Sequence, residues 1–222
     1  MTLDTGSLTA PQAIRARRSI RHDLPDPIPD GRLSQLLDLA LEPPSSRNPQ
    51  ARSVVAVSDD EGRAALTRAT GARPHPREAP LTPVSAAADR TWREDLSDVH
   101  GQAPGSGAWN VRSVSGLPPA TQDFRRDFRQ DLEQPGSLAE YAVKDAATYA
   151  VLAATSMGPA TSPVNGWDER QRAIGVEDRD GPHIAMLPPV GRPAETRAHP
   201  GRRPSSRQAF TGRSGSVGGG TR

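Results

Sequence analysis

The longest regular pattern of apolar positions runs from 138 to 157. Ala139, Ala142, Val143, Ala146, Ala147, Ala150, Val151 and Ala154 recur at helical spacing over four turns. Gly158 stands where such a helix would end. The stripe is built of small residues, which let two backbones approach closely, so the pattern predicts a central helix packed against a partner. A second helix is predicted over 31–42, where Leu33, Leu36, Leu37, Ala40 and Leu41 form one face, Asp30 can cap the start, and Pro43-Pro44 forbid continuation. Thr9-Ala10-Pro11 starts a short helix reaching about Arg18, and "DEGRAALTRA", 60–69, reads as a weaker one. Phe124, Phe128 and Leu132 share a helical stripe further on.

Three stretches read as strands. "SVVAV", 53–57, is β-branched and compact enough to be buried. "APLTPVSAAAD", 79–89, reads as a strand with a flaw, because Pro83 cannot donate to a ladder. "HIAMLPPV", 183–190, is a third candidate, again interrupted by prolines. "LPDPIPD", 24–30, is a turn-rich linker, and 97–120 is rich in Gly, Pro and Ser without periodicity, which predicts a flexible loop. A single domain is expected over 9–204, followed by a disordered basic tail at 205–222.

Composition narrows the classes. Apolar residues make up 34% of 222 and aromatics 4%, with 23 prolines, so either the core is small or parts of the chain are unpacked. Net charge is only +2, yet residues 192–222 hold seven arginines against Glu195, a local +6. A nucleic-acid binder acting through that tail ranks last, since aromatics for base stacking are scarce. Without cysteine there is no disulfide, thiolate nucleophile or Cys-ligated metal. No apolar run reaches the ~20 residues of a membrane helix and the N-terminus lacks a leader pattern, so a cytoplasmic protein without membrane partners is expected.

Several chemistries lack their motifs. There is no Walker A loop, no GxGxxG and no GxSxG elbow. The five histidines form no HxxxH pair, so no metal site is expected. What remains is "RARRSIRHDLPDP", 15–27, with Arg15, Arg17, Arg18 and Arg21 inside seven positions. Taken alone, that cluster reads as a solvated helix end. It is followed by "PPSSRNPQ", 43–50, and then, after the small-residue helix, by "PVNGWDE", 163–169, and "PVGRPAE", 189–195.

In that order the pieces resemble the nitroreductase family, FMN-dependent NAD(P)H oxidoreductases, over roughly 11–57 and 138–204; "EYAVKDA", 140–146, is similar to the family's dimer helix. The resemblance implies an α+β fold with a central mixed or antiparallel sheet flanked by helices, in an intertwined homodimer with FMN at its interface. It implies NADH or NADPH as donor and, as acceptor, a nitroaromatic, a quinone or a similar small molecule, reached by ping-pong hydride transfer. The flavin carries the chemistry, so no catalytic side chain is named. Arg17, Arg18, Ser19 and Arg21 would meet the FMN phosphate, where guanidinium forks and a hydroxyl suit phosphate oxygens. Arg202 or Arg203 would close the same site. Pro44, Ser45, Ser46 and Asn48 would approach the isoalloxazine from the other subunit, and Pro163, Val164, Asn165 and Gly166 would line its face. Arg73 and Arg77 are stand-ins for the basic residue at the ring's pyrimidine edge.

The chain departs from the family pattern at named places. Ala51-Arg52 follow Gln50 where Pro and Trp are usual, and the 138–157 helix is about one turn shorter. These departures support a second reading, a drifted member that binds flavin weakly or not at all and lacks turnover.

Overall fold

The computed structural model describes residues 7–45, 48, 50, 52–87, 97–110, 112, 138–165 and 186–209. Its helices are α1 (Ala10–Ala16), α2 (Asp30–Leu41), α3 (Asp60–Ala69), α4 (His75–Glu78), α5 (Ser97–Gly105) and α6 (Leu138–Met157). Its strands are β1 (Asp23–Leu24), β2 (Arg52–Val57), β3 (Thr82–Ala87), β4 (Ala160–Thr161) and β5 (Val190–Pro193), and a 3-10 turn follows at Ser205–Arg207.

The small-residue pattern produces α6 with the boundaries the sequence indicates. Val143, Ala146, Ala147, Ala150, Val151, Ala153, Ala154 and Met157 are buried, and Gly158 leaves the helix at φ 106, a left-handed conformation that suits glycine. Small side chains let α2 lie close, and Leu36 and Ala40 of α2 share a core with Ala150, Ala153, Ala154, Leu81 and Val190. α6 also packs on β3 and α1, so it is the central element. A second core joins Val57, Leu66, Ala69, Val84, Val164 and Leu187. The α2 start differs by one residue from expectation: Pro29 precedes the helix, its carbonyl accepting from the N–H groups of Arg32 and Leu33 at 2.8 and 2.9 Å, and Asp30 is the first helical residue. Asp59 caps α3, its Oδ1 accepting from the Gly62 N–H at 2.8 Å.

β2 and β3 form an antiparallel pair running from Arg52 opposite Ala87 to Val57 opposite Thr82. Pro83 is tolerated within it, opposite Ala56; beyond Leu81, no described strand pairs with the other flank of β3. The other sheet has the order β1-β5-β4, all antiparallel. One bridge, Leu81 to Val190, connects the two, and a parallel bridge ties Ser19 to Thr161. Both sheets are antiparallel, and the parallel bridge lies at the margin of the three-stranded one.

Two sequence expectations need correction. Part of 97–120 is helical, not loop: Ser97–Gly105 forms α5 despite Pro104. Its closing carbonyls are taken by the turn that follows, with Ser106 N–H on Gln102 O and the N–H groups of Ala108 and Trp109 on Ala103 O. The Trp109 ring also lies 6.1 Å from that of buried His100. These partners sit outside any helical periodicity, which is why the pattern missed the helix. Of the third strand candidate, 183–190, residues 183–185 lie outside the described residues, and 186–189 do not form a strand. Leu187 makes only an isolated bridge to Val164, and β5 starts at Val190, after Pro188-Pro189. The Phe124–Leu132 stripe and the tail from 210 lie outside the described residues.

Candidate functional site

α1 ends where the arginines begin. Arg18 Nη1 donates to the carbonyls of Arg15, Ala16 and Arg17 at 2.8, 3.0 and 2.9 Å, so its own guanidinium caps the helix end. The chain then straightens, and Ser19 and Ile20 run beside β4, the Ile20 N–H donating to Thr161 O at 3.1 Å. Ser19 thereby sits next to the segment leading to Pro163. The Thr161 hydroxyl is buried there without a partner among the described residues.

Arg17 is half-buried, with Nη1 at 3.5 Å from Ser19 Oγ. Its pKa is lowered by burial first, then by the charges of Arg202 and Arg18. His199 is lowered by desolvation, then by Arg18, Arg202 and Arg17. Guanidiniums from opposite ends of the chain thus come close enough for Arg202 and Arg18 to act on Arg17. A cleft of about 400 Å³ opens beside them, walled by Leu8, Arg17, Arg18, Ser156, Pro193 and Arg197 among others. Glu195 is engaged at its edge: the Arg21 N–H donates to it at 2.9 Å and Arg197 Nε at 2.7 Å, and these bonds, Arg197's first, hold its carboxyl down to about 2.

Neither Arg21 nor Arg203 is among the charges that lower Arg17 or His199. The Arg21 charge acts on His75, which burial lowers first, followed by Arg21 and Arg73. Arg203 is exposed and has no hydrogen bond to a described residue. Arg73 Nη1 donates to Asn165 O at 2.9 Å, so the arginine near the middle of the chain reaches the third sequence motif. Val164 is buried and exchanges both backbone hydrogen bonds with Leu187, at 2.7 and 3.1 Å, whereas Asn165 is exposed. Pro163 is half-buried between β4 and that bridge. Arg77 is exposed, and its main-chain carbonyl accepts from Arg63 Nη1 at 3.0 Å.

The second motif follows α2. Pro44 is exposed and Ser45 half-buried; the Asn48 N–H donates to Ser45 O at 3.0 Å. No hydrogen bond among the described residues joins this segment to the other two motifs. Ser46 and Gly166 lie outside the described residues.

Sequence reasoning missed His199, Glu195 and Asp23. The first has a weak signal, three positions before Arg202; the second pairs with Arg197 two residues on. Asp23 has none: it is 9% exposed, both its carboxylate oxygens lack partners among the described residues, and a Cβ on Gly191 would meet its side chain at 2.7 Å. No group of three or more metal-ligating side chains exists among the described residues, and no described helix is long and apolar enough to cross a membrane.

A cluster of guanidiniums with no carboxylate partner among the described residues, beside a serine hydroxyl, is chemically suited to a phosphate dianion. The nitroreductase family model matches residues 14–192. A protein of Thermus thermophilus named NADH dehydrogenase is 31% identical over 200 residues, 85% of this chain and 88% of its own. Among solved structures, a candidate NAD(P)H:FMN oxidoreductase of Staphylococcus epidermidis superposes with a TM-score of 0.81 at 17% identity, covering 95% of this chain and 99% of that one. A candidate nitroreductase of Exiguobacterium sibiricum, solved in complex with FMN, reaches 0.77 at 20% identity, covering 94% and 99%. The fold is nitroreductase-like, and the chain is an oxidoreductase that belongs to the nitroreductase family.

Proposed function

We propose that this protein is a homodimeric, FMN-dependent NAD(P)H oxidoreductase that passes electrons to a small acceptor such as a nitroaromatic or a quinone. The observation that carries the reading is the convergence of Arg17, Arg18 and Arg202 beside Ser19 and the cleft. Those four residues would hold the phosphate of FMN, with Arg203 further out. Arg18 is pre-organised by its bonds to the α1 carbonyls, so little freedom is lost on binding. When bound, FMN supplies the two-electron chemistry between a nicotinamide and an oxidised acceptor.

Arg21 and Arg73 suit the other end of the same ligand. Both bear on buried His75, and Arg73 is fastened to Asn165. Two cationic groups at the pyrimidine edge stabilise negative charge on a reduced ring. Pro163, Val164, Asn165 and Gly166 would line the ring's face, and Pro44, Ser45, Ser46 and Asn48 would reach it from the second subunit, which agrees with their separation from the other motifs within one chain. NADH or NADPH and the acceptor would then alternate at one open face, in ping-pong order.

The test is an absorbance spectrum from 300 to 600 nm after incubation with FMN and removal of excess, followed by titration of variants. Flavin bands that remain with the protein are expected. Arg202→Ala should weaken FMN binding about 10- to 100-fold, the worth of one charge-assisted bond, while Arg203→Ala stays near wild type. A protein that retains no flavin would instead be a family member that has lost its cofactor.

A further inference from the structure

Arg52 stands where the strand after the second motif begins, and its side chain turns back. α2 has no basic residue in its last turn, so its terminal carbonyls need donors from elsewhere. Arg52 Nη2 donates at 3.0 Å to the carbonyl of Leu41, the last residue of α2, and also to Pro43 O just beyond the helix. The Arg52 main-chain N–H donates to Gln50 O at 2.6 Å. One residue therefore grips the segment at its entry with a side chain and at its exit with its backbone. Between those grips Asn48 and Gln50 adopt left-handed φ values of 56 and 50, which non-glycine residues hold only when their surroundings impose them. The Gln50 N–H also reaches Ser45 Oγ at 3.3 Å.

Arg52 is 7% exposed. Burial lowers its pKa, while Asp145 and Tyr149 on α6 and Glu42 after α2 favour the charged form. Its Nε and Nη1 have no partner among the described residues. Such a placement costs desolvation that an apolar side chain of similar length would avoid, so the carbonyl grip is what the guanidinium contributes.

We propose that Arg52 is a positioning residue, which holds Pro44, Ser45 and Asn48 in the conformation that meets the flavin and thereby sets FMN affinity. The role depends on FMN being the cofactor. The test compares wild type, Arg52→Met, Arg52→Lys and Leu66→Ala by fluorescence titration with FMN and by melting temperature without it. Leu66 is fully buried in the second core, remote in sequence from the segment, and serves as a control for general destabilisation. Arg52→Met should raise the Kd for FMN at least tenfold. Arg52→Lys, which can still donate to the two carbonyls, should recover part of the loss. Leu66→Ala should keep the wild-type Kd despite a lower melting temperature. Arg52→Met binding FMN like wild type overturns the proposal, and so does Leu66→Ala losing affinity in step with its stability. If Arg52→Met does not fold, Arg52→Lys against Arg52→Gln decides, and equal wild-type affinity in both overturns it. A wild type without affinity for FMN overturns the flavin reading and this role together, whereas wild-type affinity unchanged in the variants overturns this role alone.

Discussion

Asp23 is an acid buried without compensation. It lies against Gly191 in the β1–β5 pair, and its pKa is raised to about 7 by burial first, then by Glu78 and Glu195, with His22 opposing. His22 is itself paired with Glu78 at 2.9 Å, so it is not free to serve Asp23. The folded state therefore holds this proton more tightly than the unfolded chain, whose Asp titrates near 3.8. The sign follows: no penalty applies below about pH 4, and stability falls as pH rises toward 7. Asp23→Asn should remove that component, so its melting temperature should exceed wild type by a few degrees at pH 8 and match it near pH 4. Equal shifts at both pH values would assign the effect to packing. At this same scale, Arg17 and Arg18 were legible in the sequence because they are adjacent. That Arg202 bears on Arg17 was not, since 185 positions separate the two.

At the scale of elements, periodicity succeeded where one face of a helix meets a core. α6 and α2 were readable end to end because burial selects the same face every 3.6 residues. α5 was not, because it carries no apolar stripe; the bonds to the Ala103 carbonyl and the His100–Trp109 ring contact, which follow no helical period, are among its partners. β1 and β4, two residues each, are too short to carry a pattern and exist only as neighbours of β5. The close approach of α2 to α6 yields its own prediction. Ala150 and Ala154 are fully buried in that contact. Ala150→Leu should cost ~1–3 kcal/mol by overpacking, read as a lower denaturation midpoint. The exposed Thr148→Leu on the same helix should cost far less.

At the scale of the whole molecule, the chain leaves Leu39, Leu41 and Tyr149 between 37 and 43% exposed on the packed pair α2 and α6. Apolar side chains on two adjoining helices suit a subunit interface. If the proposed homodimer uses that face, sedimentation should give twice the chain mass of 23.6 kDa. Leu39→Glu with Tyr149→Glu should then shift the species toward monomer and weaken FMN binding in parallel, because Pro44, Ser45 and Asn48 would no longer reach the other subunit's site.

The two long helices, the β2 and β3 segments and the arginine run at 15–21 were legible in the sequence alone, because each rests on local spacing: apolar residues at a fixed period, or charges a few positions apart; the family came from the resemblance of separated motifs taken in order. Only the tertiary structure decided the pairing of Ser19 with Thr161, the meeting of Arg17 with Arg202, the reach of Arg73 to Asn165 and the grip of Arg52 on Leu41 and Pro43. Three of these join residues 92 or more positions apart, and the fourth turns a side chain back across 11. Separations of that kind leave no period in a chain; they are settled by which faces the core must bury and by where the carbonyls at a helix end find donors.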